Sequence, residues 1–221
     1  MDNSPKDLLL GGREAVIAAS QPSDWRAGAA PDYDMSRKSL AKERTAPLAD
    51  GSLESIVETV VQVFELEVSH KHDPATWVSV VADQFKTRLN GGAWYDSAAL
   101  ASRGSYNVLI GENLFYDSEG EDFISSHKVF HQALPDGFFW EVLEVLSPPP
   151  RVTFTWRHWG AFKGPYKGFA PTGETLELFG VSIATVDDDL RIVELEHYYD
   201  NHEFLGKMTG GCPIAKVKAK P

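Results

Sequence analysis

Two histidines raise the first chemical question in this chain. His197 lies in LRIVELEHYYD (190–200) and His158 in RVTFTWRHWGAF (151–162), segments rich in β-branched and aromatic residues that read as strands. Side chains on a strand alternate between faces, so Val193, Leu195, His197 and Tyr199 share one side and Glu194, Glu196 and Tyr198 the other. In the second segment Val152, Phe154, Trp156 and His158 share one side, and Thr153, Thr155, Arg157 and Trp159 the other. The apolar sets are expected to face the helices. If the two strands are neighbours or second neighbours, His158 and His197 converge on one cavity, where a histidine titrating near neutral pH suits proton transfer at carbon or oxygen. The plainer alternative is a core histidine hydrogen-bonded to a backbone carbonyl or to a tyrosine.

Other side chains bear on the same cavity. Tyr199 is a polar member of an otherwise apolar wall. Asp200, in YYDNH, is either an acid or base with a raised pKa or the cap of the turn into NHEFLG. Glu141 alternates with Phe139 and Leu143 and reaches either the pocket or a dimer-facing surface. Tyr106, in GSYNVL, places a phenol at the mouth in the manner of an oxyanion donor. Trp77, Phe139, Phe154 and Trp156 are expected to shape the hydrophobic walls. Arg157, facing away from the helices, needs an acidic partner, and Glu177 or Glu196 across the sheet would serve.

Several chemistries are not supported. His127 and His131 are spaced i,i+4 on a predicted helix, with His70 and His72 near the helix before it, but no glutamate completes a zincin pattern, and no metal is expected. The glycines of GAFKGPYKGFAPTG lie between two strands, so they make turns and not a phosphate cradle, which requires a following helix N-terminus. The chain also lacks a Ser-His-Asp elbow and a dinucleotide fingerprint, and no cofactor is expected.

The elements that must position these residues follow from pattern. At 221 residues, 43% of them hydrophobic, the chain closes one sizeable core. No apolar run is long enough for a membrane span and no basic-then-apolar signal pattern opens the chain, so a soluble, cytoplasmic protein is expected. The net charge of -11 comes from residues 51–205, where acids outnumber bases more than twofold, which disfavours a nucleic-acid partner. Cys212, alone in a Gly-rich tail, is a bystander.

Residues 1–50 mix Pro, Ser, Ala and charges without sustained periodicity and read as a flexible or wrapping arm that Trp25 and Tyr33 pin to the body. A domain over 51–206 and a tail over 207–221 complete the chain. A helix is predicted from Leu53 behind an N-cap at Ser52, a short one after Asp73-Pro74 with Trp77 on its buried face, an edge strand ending at Asn90-Gly91, and helices near 97–109 and 122–133. Strands follow over 138–147, 151–162, 174–187 and 190–200. Helices first and long strands afterwards argue for an α+β fold with helices on one face of a curved antiparallel sheet.

The closing half, RHWGAFKGPYKGFAPTGETLELFGVSIATVDDDLRIVELEHYYDNHEFLGKM, resembles that of a SnoaL-like domain of the nuclear-transport-factor-two-like superfamily. The marks are G-x-x-x-G ending one strand, the G-x-x-P-T-G loop, the acidic turn, and Y-Y-D before Phe-Leu-Gly. SHKVFHQALPDGFFWEVLEV, RHWG, APTGE and YYD are also similar to stretches of the plant "pathogen-related protein" branch, over about residues 53–206. The resemblance implies a cone-shaped, cystatin-like barrel and a pocket for a small organic ligand, commonly with dimerisation through the outer sheet face, with which the outward Trp159 is compatible. It places His197 roughly where members with known chemistry carry a catalytic aspartate. The activity implied is a cofactor-independent lyase or isomerase, of cyclase or dehydratase type, working on a small hydrophobic polyketide- or terpenoid-like molecule of secondary metabolism. The alternatives are a non-catalytic ligand-binding or stress-response protein, and epoxide opening by Asp200 with Glu141.

Overall fold

Side-chain caps set most of the helix starts in the computed structural model, which describes residues 4–210. Ser4, Ser52, Asp96, Asp122 and Asp200 each accept a hydrogen bond from a backbone N–H in the first turn that follows. They open α1 (Pro5–Leu10), α4 (Leu53–His70), α5 (Ser97–Arg103), α7 (Phe123–Ala133) and α8 (Asn201–Met208). Three more helices are α2 (Gly12–Ala19), α3 (Asp34–Glu43) and α6 (Ser105–Ile110), the last separated from α5 by Gly104 at φ 90°. None is long and apolar enough to cross a membrane.

The helix expected after Asp73 stops as a 3-10 turn, Pro74–Thr76. Another element has taken the backbone beyond it. Ile192 donates to the Ser79 carbonyl at 2.8 Å, and Val81 donates to the Ile192 carbonyl at 3.1 Å. Trp77 therefore sits on extended chain.

Six strands form one open sheet: β1 (Lys86–Leu89), β2 (Tyr95–Asp96), β3 (Phe139–Ser147), β4 (Arg151–Ala161), β5 (Thr175–Val186) and β6 (Ile192–Tyr199), in the spatial order β2-β1-β6-β5-β4-β3. The α+β class stands, with two corrections. The sheet is mixed and not closed into a barrel, and β1 lies inside it with β2 as the edge. The chain reaches β1 through Val80, already bridged in parallel to Ile192, so β1 continues beside β6 in the same direction.

Residues 5–43 carry α1, α2 and α3 joined by irregular chain, and they pack on the body as a wrapping segment and not a flexible arm. Trp25 and Tyr33 are buried, Arg26 N–H donates to the His70 carbonyl at 2.8 Å, and Arg13 Nε donates to the Gln62 carbonyl at 2.9 Å. These helices are too short, and too interrupted by Gly and Pro, to show a 3.6-residue period. At the other end, α8 runs through residue 206, and Met208 is buried. Cys212 and the rest of the tail from 211 lie outside the described residues.

The segment after α3 crosses to the convex side of β3 and β4. Thr45 N–H donates to Glu141, Trp159 Nε1 donates to the Glu43 carboxylate at 2.9 Å, and Arg157 reaches Glu141 at 2.9 Å and Glu177 at 2.6 Å. Trp159 is 1% exposed beneath this cover, so it offers nothing to a second subunit. Of the partners expected for Arg157, Glu177 is found, while Glu196 pairs with Arg88 and Arg151.

Candidate functional site

The concave face of the sheet and helices α4, α6, α7 and α8 enclose a cavity of about 290 Å³, with α3 along one side. Antiparallel register builds its floor. Trp156 lies opposite Gly180, and Ser182 lies opposite His197. A Cβ on Gly180 would stand 2.2 Å from Trp156 Cζ2, so only glycine lets the indole lie flat across β5. From there Trp156 Nε1 donates to Ser182 Oγ at 2.8 Å, and Ser182 Oγ lies 2.8 Å from His197 Nδ1.

This chain of bonds assigns a tautomer. Trp156 can only donate, so the Ser182 hydroxyl accepts from it. Among the described residues the serine proton has no other acceptor than His197 Nδ1, so the arrangement that leaves no serine proton unpaired has Ser182 donating to that nitrogen. The ring hydrogen of His197 is then on Nε2, which is buried without a partner. Burial pushes His197 down to about 4, so the ring is neutral at pH 7 and presents an N–H. His158 lines the same cavity, stacked on Phe138 with ring centroids 4.3 Å apart, and its Nδ1 is also buried and unpaired. Burial pushes it to about 4 too, against weaker upward pulls from the Phe139 backbone and Glu65.

The helix wall carries the opposite polarity. His127 Nδ1 lies 2.7 Å from the Phe123 carbonyl, which can only accept, so the ring hydrogen is on Nδ1 and Nε2 is a bare lone pair, buried and unpaired. Burial lowers His127 to about 4. Glu65, on α4, keeps 46% of its side chain accessible. Arg13 on α2 (2.6 Å) and Tyr33 just ahead of α3 (2.9 Å) bond its Oε2. Burial works to raise the Glu65 carboxyl, but Arg13 first, then His70 and Tyr33, outweigh it and hold it below the usual range, so it is ionised.

A curated barley protein, the "Pathogen-related protein" of Hordeum vulgare, is 35% identical to this chain over 208 residues, 87% of this chain and 88% of that protein. The chain belongs to the pathogen-related protein family. No family model matches it. Among solved structures, a candidate SnoaL-like polyketide cyclase from Jannaschia sp. CCS1 is 16% identical, with a TM-score of 0.42 over 75% of this chain and all of that one. A candidate polyketide cyclase from Acidithiobacillus ferrooxidans is 15% identical, with a TM-score of 0.45 over the same shares.

In this member of the pathogen-related family, His158, His197, Tyr199, Tyr106, Phe154 and Trp156 all line the one cavity. Phe139, expected in its wall, only borders it: it lies opposite Trp159 in the register, on the row of Glu141, and its ring packs on the Trp159 indole with centroids 5.7 Å apart. The Tyr199 hydroxyl is already committed, donating to the Leu109 carbonyl. Tyr106 stacks on Phe130 at 4.4 Å, and its hydroxyl finds no hydrogen-bond partner among the described residues.

Three expected site residues lie elsewhere. Trp77, carried on extended chain instead of a helix face, is buried in the core away from the cavity. Glu141 faces the convex side, where burial works to raise its pKa and the bonds from Arg157 and Thr45 hold it below the usual range. Asp200 is exposed and caps α8. Among the described residues, therefore, no two carboxylates flank the cavity floor as epoxide opening would require. Among the described residues no group of three His, Cys, Asp or Glu side chains is arranged to hold a metal ion.

Sequence reasoning missed Ser182, Glu65, Arg13 and Tyr33 as site residues, and read His127 only as a metal candidate. The first had a signal, since Leu176, Leu178, Gly180, Ser182 and Ala184 alternate on the inward face of β5 and serine is the polar exception. The floor's dependence on Gly180 gives a first expected result. Gly180→Ala should displace the Trp156 indole and break its bond to Ser182, shifting Trp156 fluorescence and lowering stability by about 1–3 kcal/mol through overpacking. Unchanged fluorescence and unfolding would show that the indole does not rest on that glycine.

Proposed function

We propose that this protein binds a small, largely apolar carbonyl compound in the cavity and moves a proton on it without a cofactor, as a lyase or isomerase. The observation that carries the reading is the Trp156–Ser182–His197 chain, which fixes an unpaired N–H of His197 beneath an aromatic-walled cavity. An orphaned buried donor costs about 1–3 kcal/mol, which a ligand oxygen accepting from it recovers. The floor must give slightly to admit that oxygen, because the nitrogen is shielded from solvent. A carbonyl polarised by His197 releases an adjacent C–H proton more readily, and His158 is the neighbouring group able to take and return it. At about 290 Å³ the cavity is at the small end of ligand pockets, which run from roughly 300 Å³ upward. Polyketide- and terpenoid-like ketones are the corresponding substrate class.

The test is exchange at carbon. With 2-tetralone in D2O, followed by proton NMR, the protein is expected to speed deuterium uptake beside the carbonyl, and His197→Phe is expected to return the rate to that of buffer. A second reading has its own observation. Histidines lowered to about 4 are weak bases at neutral pH, which favours holding a ligand over turning it over. Binding of the ketone with no exchange above buffer would establish that reading and reject the enzyme.

A further inference from the structure

The two walls of the cavity present opposite hydrogen-bonding faces, and each is fixed by a bond behind it. On the sheet side Ser182 Oγ lies 2.8 Å from His197 Nδ1, and with its own lone pair taken by Trp156 and its proton given to that nitrogen it turns an N–H of His197 inward. On the helix side the Phe123 carbonyl accepts from His127 Nδ1 and so leaves a lone pair at Nε2. The same wall holds Glu65. Both of its hydrogen bonds, from Arg13 and Tyr33, go to Oε2, and Oε1 is left without a partner. His70 and His131, which also line the cavity there, are lowered from their ordinary values, first by burial, which favours their neutral forms. Arg13 is the cation paired to the carboxylate. That end of the cavity therefore seeks a hydrogen-bond donor, while the floor supplies one.

We infer that the ligand is a hydroxylated ketone held end to end, its carbonyl oxygen on His197 Nε2–H and its hydroxyl donating to Glu65 Oε1. The inference rests on the carbonyl-binding reading above and adds the second polar group and its place. Arg13 and Tyr33 act as positioning residues. By occupying Oε2 they aim the free oxygen, so the N-terminal helices take part in ligand selection although they make none of the floor.

Calorimetric titration with benzophenone and 4-hydroxybenzophenone at neutral pH separates the claims. The native protein should prefer the hydroxylated ketone by about tenfold, the size expected for a hydrogen bond to a charged acceptor. In Glu65→Gln the preference should shrink to roughly threefold or less, since a neutral amide is the weaker acceptor. His197→Phe should weaken both ketones alike and leave the preference standing. Each comparison is made within one protein, so a change in a variant's stability cannot create the preference. Equal affinity of the native protein for the two ketones would overturn the Glu65 assignment and leave carbonyl binding intact. If neither ketone binds, carbonyl binding fails and the assignment falls with it.

Discussion

Glu67→Ala should destabilise the protein by about 3–5 kcal/mol, the cost of leaving a buried charge without its partner. The Glu67 side chain is fully buried and that of Lys71 is 3% exposed. One carboxylate oxygen accepts from Lys71 Nζ (3.0 Å) and Val78 N–H (2.8 Å), the other from Ser79 N–H (2.9 Å) and the Ser79 hydroxyl (2.6 Å). Alanine would leave the ammonium only the Thr76 carbonyl and strand three other donors at once. The loss would also reach the cavity, because Ser79 and Val81 exchange backbone bonds with Ile192, where β6 begins. Urea unfolding of Glu67→Ala and Glu67→Gln gives the measurement, with the glutamine variant expected between alanine and native. A loss under about 1 kcal/mol would mean that the ammonium escapes to water and that the pair is not structurally required.

Acid should unfold the protein in a window set by the cavity. His127, His158 and His197 are each lowered from 6.5 to about 4, chiefly by burial. Their unfolded forms therefore bind protons between those values while the folded forms do not. Stability is full above pH 6.5 and falls as pH drops toward 4, by up to roughly 1.4 kcal/mol per pH unit for each histidine. Urea midpoints measured from pH 7.5 to 4.5 should show this slope, and His158→Phe should flatten it by about one proton. An unchanged slope in that variant would show that His158 titrates normally. Glu65 and His197 are the ionisable groups that influence His158, so their replacement should shift the window without abolishing it.

The strands were the most legible part of the chain, because β-branched and aromatic residues at period two mark the inward row without reference to anything else. That row is enough to put His158 and His197 in one cavity. It could not place Glu141, since β3 and β4 are covered on both faces. Where the convex side is buried under residues 43–46, alternation says which residues share a face but not which face meets the ligand. Asp200 was ambiguous between acid and cap until α8 was seen to begin behind it. Glu65 was hidden for a different reason. Its role comes from Arg13 and Tyr33, 52 and 32 positions away, in and beside helices too short to show a period. Trp77 was misjudged because the backbone beyond Thr76 is drawn off by β6, a pairing that no local pattern announces.

That pairing also sets the order in which the molecule can be made. β1 joins β6 in parallel through Lys86↔Glu194 to Leu89↔His197, residues separated by more than a hundred positions. The entropy of closing so long a loop must be met before the contact returns anything, so β6 is expected to dock late. On the ribosome, β1 through β5 would emerge and begin to collapse before the strand bearing His197 and Tyr199 exists. The donor end of the cavity is thus the last part to assemble. A chain stopped short of β6 would hold the acceptors on its helices and nothing opposite them, so ligand retention would report on completed synthesis.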